Sequence, residues 1–279
     1  MLRSTFQLAP GLGEKRELAM WSAGVGCWGD DLRRARLPAA LDAALSAAIG
    51  AARAAHAAGD IARLAALIPA REHWRLFGEL AADAAYLDIE TSDDAVGLEG
   101  ISAIGVLDRR GPRILLAERD LHRFPEVARD WGLLVTFNGG AFELPILRRA
   151  FPEWQPPPAH MDLRHVLPRL GHAGSLKEIE RGLSALHLAR PPHLAGLQGV
   201  AAARLFRQGR DGDRAAYRLF AEYNLYDVIG MRTLAAFAYN ALLERLVGRA
   251  PALRAHARPV PVPGRGDVLY DVSKLLLAL

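Results

Sequence analysis

Five acidic and phenolic side chains, in three short stretches, are spaced so that they can act together: Asp88, Glu90, Glu143, Tyr223 and Asp227. The first stretch, AAYLDIE (84–90), is a short apolar run ending in acids and reads as a strand. Side chains two apart on a strand share a face, so Asp88 and Glu90 lie side by side. Two carboxylates on one face of an otherwise apolar strand repel unless a cation lies between them, and all-oxygen donors suit Mg2+ or Mn2+. The same pair also fits a plain strand end, because Thr91, Ser92, Asp93 and Asp94 follow as a polar turn. In the second stretch, VTFNGGAFELPIL (135–147), a strand ends at Phe137, Asn138 to Gly140 make a tight turn, and a helix begins near Ala141. Glu143 then falls in the first helical turn, where free backbone N–H groups favour a carboxylate. An ordinary helix-start acid after a glycine turn has the same appearance. The third stretch, EYNLYDV (222–228), lies in helical surroundings, so Tyr223 and Asp227 stand one above the other on a helix face. A surface Tyr–Asp pair shares that spacing.

The elements that must position these groups are an N-terminal helical region and an α/β core. Residues 1–37 are mixed and punctuated by glycine. Residues 38–68 read as helix, split near Gly59-Asp60 and ended by Pro69, and 71–83 as a short connecting helix. Strands follow at 84–90, 101–107 and 113–117, the last two at hairpin spacing around a turn at 108–111. A helix over 121–130 precedes a fourth strand at 133–137. Beyond it the pattern is helical over 142–150, 161–170, 175–187, 196–208 and 213–247, with breaks at Pro152 to Pro158 and at Pro191-Pro192. Hairpin strands, then helix, strand and helices give an α/β fold with a mixed sheet. The expected division is a small helical region over 1–80, the α/β domain over 81–250, and a tail over 251–279 packed on the core, with 268–279 as an edge strand or short helix.

The order and spacing of the three stretches resemble the DEDD exonuclease superfamily, whose motifs are Asp-x-Glu, Asn-x-x-x-Phe-Asp and Tyr-x-x-x-Asp. The intervening text, FNGGAFELPIL, HMDLRHVLPRL (160–170), GSLKEIE (174–180) and YNLYDV, is similar to the YprB-type ribonuclease H-like family over about residues 84–240. The resemblance implies a ribonuclease H-like mixed β-sheet flanked by helices, and a 3′–5′ exonuclease acting on a single-stranded nucleic-acid 3′ end. It implies two Mg2+ or Mn2+ ions, about 3.5–4 Å apart, bridged by Asp88 and held also by Glu90, Glu143 and Asp227. Tyr223 would orient the attacking water, and Asn138 and Phe142 would hold the terminal nucleotide, Phe142 by stacking on a base. One position departs from the pattern: Glu143 stands where the family has aspartate. The nearby Asp162 in HMDL could supply the missing acid but reads rather as a supporting or helix-start residue.

Composition sets the outer bounds. The chain has 279 residues and a net charge of +4, which attracts polyanions; only three of its 35 basic residues are lysine, so the balance also fits a GC-rich coding sequence. Cys27 is the only cysteine, which excludes an internal disulfide and a thiolate cluster and suits a cytoplasmic protein. No run reaches the roughly 18 apolar residues of a membrane span, and the first residues lack a secretory pattern. GVGCWG (24–29) matches the dinucleotide fingerprint in form but follows helix-like ELAMWSA instead of a strand, so no nucleotide cofactor is expected. PGLGEK (10–15) fits either a phosphate-gripping helix-hairpin-helix turn or a plain turn between helices. The tripeptide at 265–267 is a chance match to RGD.

Three functions compete: the exonuclease, a nucleic-acid-binding protein whose nuclease site has weakened at Glu143, and a structure-specific endonuclease on the same fold. A site adapted to glutamate predicts that Glu143→Asp lowers turnover. The fall should be larger in Mg2+ than in Mn2+, because Mg2+ demands near-ideal octahedral geometry. Steady-state rates of both proteins in both metals check this. A faster Asp variant would mean an imperfect copy of the family site, and no turnover in either would leave the binding protein.

Overall fold

The computed structural model describes residues 1–92, 98–186, 188 and 190–263. Its centre is a five-stranded mixed sheet of β1 (Ala84–Thr91), β2 (Ile101–Asp108), β3 (Gly111–Leu116), β4 (Leu133–Thr136) and β5 (Ala159–Asp162), in the order β3-β2-β1-β4-β5. The β1–β2 and β2–β3 pairs are antiparallel, whereas β4 lies parallel to both β1 and β5. The helices are α1 (Glu14–Ser22), α2 (Ala39–Ala57), α3 (Ile61–Leu67), α4 (Phe77–Leu80), α5 (Phe124–Val127), α6 (Glu143–Ala150), α7 (Leu163–Val166), α8 (Leu176–Gly182), α9 (Gly199–Arg210) and α10 (Arg214–Arg249). Among the described residues no helix is long and apolar enough to cross a membrane.

The split between α2 and α3 falls at Gly59-Asp60 as expected: Gly59 has φ +65°, and the Asp60 carboxylate caps α3 through the Arg63 N–H. The helix expected over 161–170 is corrected. Its first residues belong to β5, because β4 offers a parallel partner that a sequence pattern cannot anticipate. Asp162 ends that strand and caps α7 by accepting from the Arg164 N–H. The expected helices over 71–83, 121–130 and 175–187 are partly 3-10 turns, at Ala70–Leu76, Leu121–Arg123 and Ser184–Leu186. PGLGEK is preceded by a 3-10 turn, Leu2–Ser4, and followed by α1, so only one side of it is an α-helix. The expected edge strand or helix over 268–279 lies outside the described residues.

Strand alternation sorts the core into two faces. Ala85, Leu87 and Ile89 of β1 point into a cluster with Phe124, Trp131, Leu144 and Phe151. Ala84 and Tyr86 point to the opposite face, into a cluster that α10 shares with α1, α2 and α3. Asp88 and Glu90 have the same parity as Ala84 and Tyr86 and therefore face α10. The 36-residue α10 is buried along most of its length and touches β1, β2, β3 and β4.

A buried ion network seats the N-terminal region. Arg75, 1% exposed, donates to Glu17 from both terminal nitrogens (2.7 and 2.8 Å) and to Glu72 from Nε (2.7 Å). Its guanidinium also lies over the rings of Trp21 and Trp74. Removing the shared cation leaves the fully buried Glu17 carboxylate without its charge partner, while Glu72 keeps Arg169 at 3.5 Å. Arg75→Leu is therefore expected to destabilise the protein by on the order of 3–5 kcal/mol, read from urea unfolding. A change below about 1 kcal/mol would mean that the carboxylates had reached water or another partner.

Candidate active site

The site lies where α10 crosses the end of β1. Asp88 and Glu90 arrive from the strand, and Tyr223 and Asp227 from successive turns of the helix. One carboxylate oxygen from each of Asp88, Glu90 and Asp227 lies within 4.8 Å of the other two. Such close approach of helix to sheet needs a gap in the sheet, and Gly105 of β2, paired with Asp88, supplies it. A Cβ there would stand 2.1 Å from Oδ1 of Asn224. With no side chain in the way, Asn224 donates from Nδ2 to Asp88 Oδ2 at 2.8 Å.

The far side of Asp227 is held by a cation. Arg190 donates from Nη2 to Asp227 Oδ1 at 2.5 Å, and from Nε to Oε2 of Glu180 at 3.0 Å. Glu180 reaches this position from α8 over Gly230 of α10, where a Cβ would lie 2.4 Å from its Oε1. From the same helix Lys177 donates to the Tyr223 hydroxyl.

The β4–α6 turn forms the opposite wall. Asn138 has φ +78°, a left-handed conformation that asparagine tolerates better than most residues. Asp162 clamps the turn, accepting from the N–H groups of Asn138 (2.8 Å) and Gly140 (3.1 Å). Gly139 fits because a Cβ would meet Thr136 Oγ1 at 2.2 Å. Asp162 thus both caps α7 and holds this turn.

Between these walls is an open cleft of about 300 Å³, lined by Asp88, Glu90, Asn138, Tyr223 and Asp227 together with Lys177 and Arg164. Five of the seven expected site residues therefore meet in one place. Glu143 and Phe142 do not line the cleft. Glu143 is buried at the first residue of α6, its Oε2 without a hydrogen-bond partner among the described residues, and Phe142 beside it is exposed. The residues not anticipated are Asn224, Lys177, Glu180 and Arg190. Asn224, Lys177 and Glu180 sit inside YNLYDV and GSLKEIE; Arg190 follows the mostly apolar LSALHLA and carries no local signal.

The profile of the RNase H superfamily matches residues 85–239. The chain belongs to that superfamily. The matched span runs from β1 into α10 and contains every residue of the cleft. No curated protein matches the chain. Membership in the RNase H superfamily indicates a nuclease-type function on nucleic acid, chemistry that generally uses divalent metals.

The electrostatics of this RNase H-like site fit such an ion. Burial, then the neighbouring Asp227, Glu90 and Glu143 carboxylates, push the Asp88 carboxyl well above its usual range. Burial and Asp227 push Glu90 up to about 8, and burial with Asp162 nearby pushes Glu143 up to about 8. Burial and the same acids also raise Tyr223, so the phenol keeps its proton. Crowded oxygen donors that cannot all ionise, with the orphaned Glu143 Oε2 close by, are what a divalent cation would resolve.

The sign of the pH effect follows. Folding raises the proton affinity of these carboxyls, so the folded chain holds protons that the unfolded chain has already released. Without divalent ions, stability should fall as pH rises from about 4.5 through about 8. In chelator, the melting temperature should therefore drop between pH 6 and pH 8. Added Mg2+ or Mn2+ should restore more at pH 8 than at pH 6, and Glu90→Gln should flatten the slope. A melting temperature that rises over this window, with a slope indifferent to Glu90→Gln, would rule out shared protonation.

Proposed function

We propose that this chain is a divalent-metal-dependent 3′–5′ exonuclease of the DEDD type, of the YprB kind, acting on single-stranded 3′ ends. The observation that carries the reading is the convergence of Asp88, Glu90 and Asp227 within 4.8 Å in an open cleft beside a protonated tyrosine. Asp88, Glu90 and Asp227 would hold the metal, with Glu143 as the fourth acid. Bound divalent ions, two in the DEDD scheme, supply an activated water and stabilise charge on the leaving oxygen.

The remaining roles belong to the chain itself. Tyr223, kept protonated by burial and then by its acidic neighbours, donates a hydrogen bond that orients the attacking water. Lys177 fixes the Tyr223 hydroxyl and offers positive charge to the scissile phosphate. Arg164, across the cleft, attracts the next phosphate along the strand. Asn138 presents its amide to the terminal nucleotide from a turn clamped by Asp162. The exposed ring of Phe142, outside the cleft on the β4–α6 turn, offers a stacking face to a base. Asn224 and Arg190 hold Asp88 and Asp227 in place from behind, so the reacting groups need little reorganisation.

With a 5′-labelled single-stranded oligonucleotide and Mn2+, stepwise shortening from the 3′ end is expected, while a circular single strand stays intact. Cleavage of the circle would indicate an endonuclease, and binding without cleavage a protein that has lost the reaction. Asp88→Ala should abolish hydrolysis while the protein stays folded. Tyr223→Phe should lower kcat with little change in substrate affinity; an unchanged kcat with weakened binding would make Tyr223 a binding residue.

A further inference from the structure

We propose that Cys27, Asp30 and His256 form a zinc site, separate from the carboxylate cleft, whose remaining coordination position opens on a cavity of about 390 Å³. The sulfur, one carboxylate oxygen and one imidazole nitrogen lie within 4.8 Å of one another. Sulfur, nitrogen and oxygen together are the donor set of Zn2+, which takes four ligands in a tetrahedron; the hard ions Mg2+ and Ca2+ take oxygen alone.

The local backbone is shaped to bring the three together. Asp30 Oδ2 accepts from the N–H groups of Gly26 (2.7 Å) and Cys27 (2.9 Å), which curls the loop and leaves Oδ1 for another partner. The Gly29 N–H donates to the Cys27 sulfur at 3.4 Å, which holds the side chain within the loop. His256 enters from the other end of the chain, after α10 and the 3-10 turn Pro251–Ala255. Its ring fits because position 26 is glycine: a Cβ there would lie 2.9 Å from His256 Cδ2. His256 is only partly buried, and among the described residues neither of its ring nitrogens has a hydrogen-bond partner, so one is free to serve as a ligand.

Cys27 and His256 both line the cavity, opposite the hydrogen-bonded His56–Glu79 pair. That opening leaves room for water or an exchangeable ligand as the fourth donor. An ion here would cross-link the loop before α2 to the segment after α10, clamping the N-terminal region onto the sheet domain. The site needs only one thiolate, so the single cysteine of the chain is enough.

The single cysteine also makes the test specific. The full chain, reduced and freed of metal, is titrated with Co2+ in place of Zn2+. A thiolate-to-cobalt charge-transfer band can arise only from Cys27, because the carboxylate cleft has no sulfur. One equivalent of Co2+ should develop the band, Zn2+ should displace it, and Mg2+ should not. Cys27→Ser should abolish it. His256→Ala and Asp30→Asn should each weaken Co2+ binding at least on the order of tenfold; Asp30→Asn keeps the oxygen that accepts from Gly26 and Cys27. In the unaltered protein, Zn2+ should slow alkylation of Cys27 and raise the melting temperature, readouts that do not depend on any variant folding. No band from a chain whose thiol is shown to be free overturns the proposal. So does a band whose affinity is the same in His256→Ala and Asp30→Asn, since that would be the thiol acting alone.

Discussion

Three carboxylates held within a few ångströms of one another cannot all stay charged in a partly desolvated cleft, and the architecture around Asp88, Glu90 and Asp227 answers that repulsion. On the sheet side, Asn224 gives Asp88 an N–H donor, a contact available only because Gly105 lets the helix come close. On the helix side, Arg190 gives Asp227 a full positive charge. Arg190 is itself buried and needs a second anion, which Glu180 provides over Gly230. Among the described residues Glu90 has no such dedicated partner, and burial beside Asp227 raises its carboxyl to about 8. Dedicated donors thus serve two of the three acids, yet burial and mutual repulsion still raise both Asp88 and Glu90, which is where added positive charge would act.

This arrangement demands a stiff α10. A helix that presents Tyr223, Asn224 and Asp227 to a sheet while packing α9 and the N-terminal helices elsewhere has to be apolar around most of its circumference. The sequence meets this with small residues, Ala221, Gly230, Ala235, Ala236 and Ala238, where neighbours approach, and with Phe220, Leu234 and Tyr239 where space must be filled. The polar residues that remain buried on it are those with work at the cleft, Asn224 and Asp227, and Thr233.

How much of this could be read beforehand depended on whether the signal was local. The two acids of β1 were legible because strand alternation needs only neighbouring residues, and the Tyr223–Asp227 pair because helix periodicity is equally short-ranged. The hairpin of β2 and β3 announced itself by its turn. By contrast β5 is four residues, AHMD, half of them polar, and it is a strand only because β4 lies beside it. The partnership of Arg190 with Asp227 spans 37 positions and has no periodicity behind it. In sequence Gly105 is one more residue of the apolar run ISAIGVL, and only Asn224 standing over it shows why it is glycine. Glu143 was correctly placed at the start of a helix, yet sequence spacing could not say that its carboxylate would be buried beside the cleft instead of lining it.

The same helix joins the two clusters of possible ligands. Asp227 belongs to the carboxylate cleft, and Tyr239, twelve residues further along α10, lines the cavity onto which Cys27 and His256 open. Twelve helical residues span about 18 Å, too far for direct interaction between bound ions once salt screening is included. Any influence of one site on the other must therefore pass through the position of α10. Tyr239 packs on Phe77 and Trp74, and its hydroxyl donates to the Arg258 carbonyl two residues beyond His256. A cross-link at Cys27, Asp30 and His256 would hold that carbonyl, and with it this end of the helix, against the N-terminal region. The nuclease-like end of α10 is anchored independently, by Asn224 on Asp88 and by Arg190 on Asp227. Two anchors at separate points along one stiff rod fix its tilt as well as its position, and tilt is what decides how close Asp227 stands to Asp88 and Glu90.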